Sequence, residues 1–186
     1  MNFQVGQKVI YPNHGIGVVE SIQTRPTAAG KVSLYQLRIL ANDSRVWVPE
    51  HNADAIGLRQ VVSAGEVRKI FNMLGDTRIE QQANWKTRFK ENSDNMRTGS
   101  LYEVAVVFKG LAYLARKKAL SFREKRMLER AKFLIISEIA EVEGKTQTQI
   151  EERVEKTLEK AFAASPKPEN VKPVQKPAAR PRNSNA

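Results

Sequence analysis

After residue 60, four helix starts of this 186-residue chain carry a serine or threonine three residues before a glutamate: Ser63/Glu66, Ser100/Glu103, Ser121/Glu124 and Thr148/Glu151. At that spacing each side chain can satisfy the other residue's backbone N–H, the reciprocal cap of a helix N-terminus. Gly75, Gly99 and Gly144 stand where such helices would stop. The pattern predicts helices near 63–74, 82–97, 100–118, 121–143 and 147–162. Apolar spacing supports the two longest. Val104, Val107, Phe108, Leu111 and Leu114 form one stripe, and Met127, Leu128, Ala131, Leu134, Ile135 and Ile139 another. The last helix has a thinner stripe of Ile150, Val154, Leu158, Ala161 and Phe162, which fits a peripheral or a partner-binding helix.

Before residue 60 the periodicity is that of strands. Runs at Gln7–Tyr11, Gly17–Thr24, Lys31–Leu40 and Arg45–Val48 are separated by turn signals at 12–15, 26–30 and 42–44. In the third run Ser33, Tyr35, Leu37 and Ile39 share one face, which is the better core candidate. Short strands at this spacing predict a small, strongly bent sheet or barrel. The fold class is therefore α+β, with a β domain over 1–59 and a helical domain over 60–163. Residues 164–186 hold five of the eight prolines and no aromatic residue, and read as a disordered basic tail.

The net charge of +11 makes a polyanionic partner plausible, and its distribution narrows the place. Residues 84–132 carry 13 basic and 5 acidic side chains, whereas residues 1–60 carry 6 and 4. With no cysteine and two histidines, a thiolate site, a cysteine nucleophile or a histidine-rich metal centre is not expected. His14, in a glycine-containing turn, has no second ligand in view. No Walker loop, GxSxG or HExxH occurs, so the chain does not read as an enzyme and no cofactor is expected. No apolar run approaches membrane-spanning length and no signal peptide is read at the N-terminus, so a cytoplasmic protein is expected.

Trp85 is the most informative residue of the basic block. On a helix, at about 100° per residue, Lys86 and Arg88 flank it on either side, and Lys86 and Lys90 stack at i, i+4. Cations neutralise phosphates while an aromatic group can wedge at a base step. Phe89 and Met96 follow Trp85 at i+4 and i+11, so spacing alone favours a core tryptophan. Arg116, Lys117, Lys118, Arg123, Lys125, Arg126, Arg130 and Lys132 bracket a short turn. Lys125 and Arg126 oppose the dipole of the helix they begin, which hints at a use such as phosphate contact.

These residues carry a resemblance. The pattern Phe3-x-Val5-Gly6-x-x-Val9-x-Tyr11-Pro12-x-His14-Gly15-x-Gly17 resembles the start of CarD-family bacterial transcription regulators. The likeness continues through Val48-Pro49, Gly57-Leu58-Arg59, Asn84-Trp85 with Arg88 and Lys90, and Leu120-Ser121-x-x-Glu124-Lys125-Arg126-Met127-Leu128, over roughly residues 1–143. It implies a Tudor-like N-terminal β-barrel that docks on the RNA polymerase β subunit by strand addition, with Arg25, Arg45 and Trp47 in the contact region. Trp47 stands where some relatives carry arginine; Arg45, two positions earlier on the same strand face, could supply the charge. The resemblance further implies that the helical domain meets promoter DNA at the upstream edge of the open-complex bubble. There Trp85 would be a minor-groove wedge, held by Lys86, Arg88, Lys90 and Lys125, with Arg126 beside them. The expected protein is a monomer without a membrane partner. The alternative is a free-standing architectural nucleic-acid-binding protein that works without polymerase.

Overall fold

The computed structural model describes residues 2–27, 30–78 and 85–164, with residues 27, 85 and 86 described through their backbone alone. The tail beyond residue 164 and the expectation of its disorder lie outside the described residues. In chain order the elements are β1 (Lys8–Tyr11), β2 (Gly15–Thr27), β3 (Gly30–Ile39), β4 (Arg45–Pro49), a 3-10 turn (Glu50–Asn52), α1 (Ala53–Ile56) and β5 (Arg59–Gln60). Then come α2 (Ala64–Gly75), α3 (Trp85–Arg97), α4 (Leu101–Lys117), α5 (Phe122–Glu143) and α6 (Gln147–Ala164).

The strands form one antiparallel sheet in the order β4-β3-β2-β1-β5. The sheet is open: of the bent sheet or barrel that strand spacing allows it is the sheet, and the closed barrel implied by the resemblance is not formed. Only two residues of β5 pair, and they pair with β1, which leaves the outer edge of β4 without a strand. Tyr35, Leu37 and Ile39 of β3 are buried, as their shared face predicts. Tyr35 and Leu37 pack with Phe3, Val9, Val19, Val48 and Leu58 into a small core. The Tyr35 hydroxyl is satisfied inside it, accepting from the Phe3 N–H at 3.3 Å and donating to Glu50 at 3.2 Å. The β2–β3 hairpin runs further than the turn signal at Pro26 suggests, pairing Pro26 with Lys31. β1 accompanies β2 only as far as Val18, so the missing proline N–H costs no ladder bond on that side.

The helices begin where the caps predict, with one correction. Ser63/Glu66 and Ser121/Glu124 make both halves of the capping box, and Ser100 accepts from the Glu103 N–H. α6 uses Thr146 and Gln149 instead of Thr148 and Glu151. The Thr146 N–H donates to Gln149 Oε1 at 3.1 Å, and the Gln149 N–H donates to Thr146 Oγ1 at 3.3 Å. A glutamine amide oxygen accepts there as a carboxylate does, so the helix starts as soon as Gly144 has closed α5 in the left-handed region at φ 62°. Ile150, Val154, Leu158 and Ala161 of α6 are buried against α2 and α5, so the thin stripe is consumed inside the molecule.

One lysine closes a helix from outside its own segment. Lys109 of α4 is 5% exposed, and its ammonium donates to the carbonyls of Met73 and Asp76 at 2.7 Å and of Arg78 at 3.2 Å. A cation there complements the negative end of α2 and satisfies carbonyls that the helix leaves over. It also anchors the chain that leads toward α3. No helix among the described residues is long and apolar enough to cross a membrane.

Candidate nucleic-acid interface

α5 is the spine that joins sheet to helices. Glu138 is a charge set in the apolar run of α5 and is 2% exposed. Arg59 of β5 grips it with two N–H donors, at 2.6 and 2.9 Å, and the Val62 N–H donates to it at 3.0 Å. The remaining Arg59 Nε donates to the Gly99 carbonyl at 2.6 Å, so one guanidinium ties β5, the α3–α4 turn and α5 together. The chains approach closely here. Gly57 and Gly99 have φ of 83° and 77°, and a Cβ on Gly99 would sit 3.0 Å from the Gly57 carbonyl. Only glycine tolerates both the backbone angle and the space. Nearby, Arg130 of α5 donates to the Asn13 carbonyl, and Lys8 pairs with Glu141 at 2.6 Å. His14 lies beside Tyr11, and burial together with Arg130 lowers its pKa from the ordinary histidine value. Among the described residues no group of three His, Asp or Glu could hold a metal ion.

On that frame part of the basic block lies on α3 and the start of α5. Lys90, Lys125 and Arg126 are exposed there. Arg88 is placed differently. Its side chain is 14% exposed and donates to Glu124 at 3.0 Å. Glu124 in turn accepts from the Ser121 N–H and hydroxyl. Arg88 thus ties α3 to the cap of α5 and sets the angle of the helix that begins with Trp85. The backbone of Trp85 and Lys86 opens α3; the roles expected of their side chains lie outside the described residues. Two features of this edge were not singled out in the sequence: Phe122, 73% exposed, and Arg97 at the end of α3.

Burial pushes the Glu124 carboxyl up, but the hydrogen bonds from Ser121 and Arg88 outweigh it and hold the pKa below the ordinary value of 4.5. A carboxylate with a lowered folded pKa stabilises fully above its unfolded pKa and loses that contribution as pH falls through the folded one. The stability advantage of the native protein over Glu124→Gln is therefore expected to be constant above pH 4.5 and to shrink below it. Thermal melts of both proteins between about pH 3 and pH 7 measure this. A difference that stays flat to the acid end excludes the assignment.

On the sheet, the three residues expected at a polymerase contact share the outer face beside the free β4 edge. The Arg25 guanidinium lies 4.6 Å over the Trp47 ring. Arg45 donates to Glu20 at 2.9 Å, and Glu20 also accepts from Arg38 at 2.8 Å. Arg45 and Trp47 alternate with Val46 and Val48, which turn toward the core.

Sheet, seam and cationic edge together define a two-part α+β protein with a free β4 edge and a basic helical face. Comparison with known proteins names the class. Residues 3–62 match the family model "CarD-like/TRCF RID domain", and residues 69–155 match "CarD, C-terminal domain". A Bacillus subtilis (strain 168) protein named "Putative transcription factor YdeB" is 30% identical over 148 residues, covering 80% of this chain and 97% of that protein. The chain belongs to the CarD family of transcription factors.

Proposed function

We propose that this chain regulates transcription by joining RNA polymerase to promoter DNA. The free edge of β4, with Arg25, Arg45 and Trp47 beside it, takes a strand of the polymerase β subunit. The α3/α5 face meets DNA at the upstream edge of the open-complex bubble. Trp85 enters the minor groove as a wedge, and Lys86, Lys90, Lys125 and Arg126 face phosphates. Arg88 acts beside them by holding α3 on Glu124. The role needs contact alone, without catalysis or a cofactor.

The observation that carries this reading is the Arg59–Glu138 junction, which holds the strand edge and the basic face on one frame. A protein anchored on polymerase then presents its cationic edge at one place, at high effective concentration. Unstacking a base step costs a few kcal/mol, and the opened duplex recovers it through contacts that straight DNA lacks. Phosphate contacts supply affinity without sequence choice.

An open-complex lifetime assay with and without the protein tests the reading. The expected result is a longer lifetime, polymerase co-purifying with the chain, and weak, salt-sensitive binding to DNA alone. Unchanged lifetimes, or tight salt-insensitive binding to free DNA, would contradict it. Nucleic-acid binding without polymerase, abolished by deleting residues 165–186, would favour the free-standing architectural protein.

A further inference from the structure

Between α3 and the first half of α5 runs an open groove of about 720 Å³. Its floor is apolar, with Phe89, Met96 and Phe133, while Arg97, Arg123 and Arg126 stand around it. Glu129 is its one carboxylate, and Arg130 at its end is committed to the Asn13 carbonyl. Arg97 and Arg123 are exposed. The Arg126 guanidinium lies 5.8 Å over the ring of Phe122, which at 73% is the most exposed large apolar side chain among the described residues. The groove also has a direction. Positions 85, 89, 93 and 96 fall on one face of a helix at about 100° per residue, and Phe89, Ser93 and Met96 line the groove. Position 85 shares that face, so the groove leads away from the proposed wedge.

The chemistry selects the occupant. Three exposed arginines around the groove favour an anion, and the cations at the start of α5 are held against its dipole, which a cation-free turn would avoid. An apolar floor and an exposed ring add nothing to the neutralisation of duplex phosphates. A single strand uses both, because its backbone follows cations while its unpaired bases stack on aromatic faces. We propose that this groove holds one strand of the opened duplex, with the unpaired nucleotides next to the wedge laying phosphates against Arg97 and Arg123 and a base on Phe122. The inference rests on the reading that this face meets DNA, and adds that the contact reaches the single strand.

Fluorescence anisotropy of the full-length protein at low salt tests it with three labelled DNAs: a blunt duplex, the same duplex with a single-stranded overhang, and the single strand alone. The overhang substrate is expected to bind about fivefold or more tighter than the blunt duplex, the scale of one stacked base. Phe122→Ala removes that preference and leaves the salt dependence unchanged, because the ring neutralises no phosphate. The double variant Arg97→Ala/Arg123→Ala removes it too and lowers the slope of log K against log salt by about 0.7 per lost contact. All three positions are exposed, so thermal melts of these variants stay at the native value. Equal affinity for overhang and blunt duplex overturns the inference, as does a preference that survives both variants. Open-complex lifetimes with Trp85→Ala separate the two readings. No overhang preference alongside a Trp85-dependent lifetime sinks the groove assignment alone; an unaffected lifetime sinks the wedge on which it rests.

Discussion

Glu138→Ala is expected to destabilise the protein by about 3 kcal/mol, because it leaves Arg59 pressed into the seam without its partner. The value sits at the low end for such a loss because the Arg59 side chain keeps 22% exposure and can draw in water. In a chain of this size it corresponds to a melting temperature lower by roughly 6–12 °C. The Val62 N–H and the approach of the Gly99 carbonyl lose their setting as well. Thermal or denaturant unfolding checks this. The double replacement Arg59→Met/Glu138→Leu is expected to restore much of the loss, since a packed apolar pair can replace a buried ion pair at little cost. A single variant that melts within a degree or two of the native protein, on the order of the resolution of one measurement, would show that the pair is not a structural lock. With polymerase, Glu138→Ala should also weaken the effect on open complexes at temperatures where the fold persists, because the strand edge and basic face no longer share one frame.

The second large effect is expected at Trp85. Trp85→Ala should shorten the lifetime of the polymerase open complex by about tenfold or more, with polymerase binding unchanged. The magnitude follows from the wedge: unstacking costs a few kcal/mol per step, and each 1.4 kcal/mol is a factor of about ten. A co-purification experiment beside the lifetime assay keeps the two functions apart. If the variant protein were to affect lifetimes no differently from the native one, the basic face would act through phosphates alone.

Both predictions turn on residues whose legibility in the sequence differs. Trp85 is visible as a tryptophan among Lys86, Arg88 and Lys90, yet its spacing favours a core position. Its neighbour Arg88 looks like another phosphate cation in sequence and is instead drawn to Glu124, 36 positions away. Glu138 is the one carboxylate in residues 133–140, beside Ser137 and among apolar side chains, but nothing local names Arg59 as its partner. Phe122 and Arg97 carried no periodic signal at all, because an exposed ring matters only through what lies beside it.

What the sequence determined by itself was local. Capping boxes, helix-stopping glycines and the stripe of α4 act over three or four residues, so they can be read in a line, and the helices stand where they predict. Even the slip at α6 was local, glutamine doing the work sought from glutamate. The alternation of β3 likewise placed Tyr35, Leu37 and Ile39 in the core. The tertiary structure alone decided whether the sheet closes, which cations are spent inside the protein, and how the strand edge is set relative to the basic face. Those outcomes depend on pairings such as Arg59 with Glu138 and Lys109 with the end of α2, 79 and 36 residues apart at their widest. Partners at such separations are chosen by packing of the whole chain, and no pattern of neighbours encodes them.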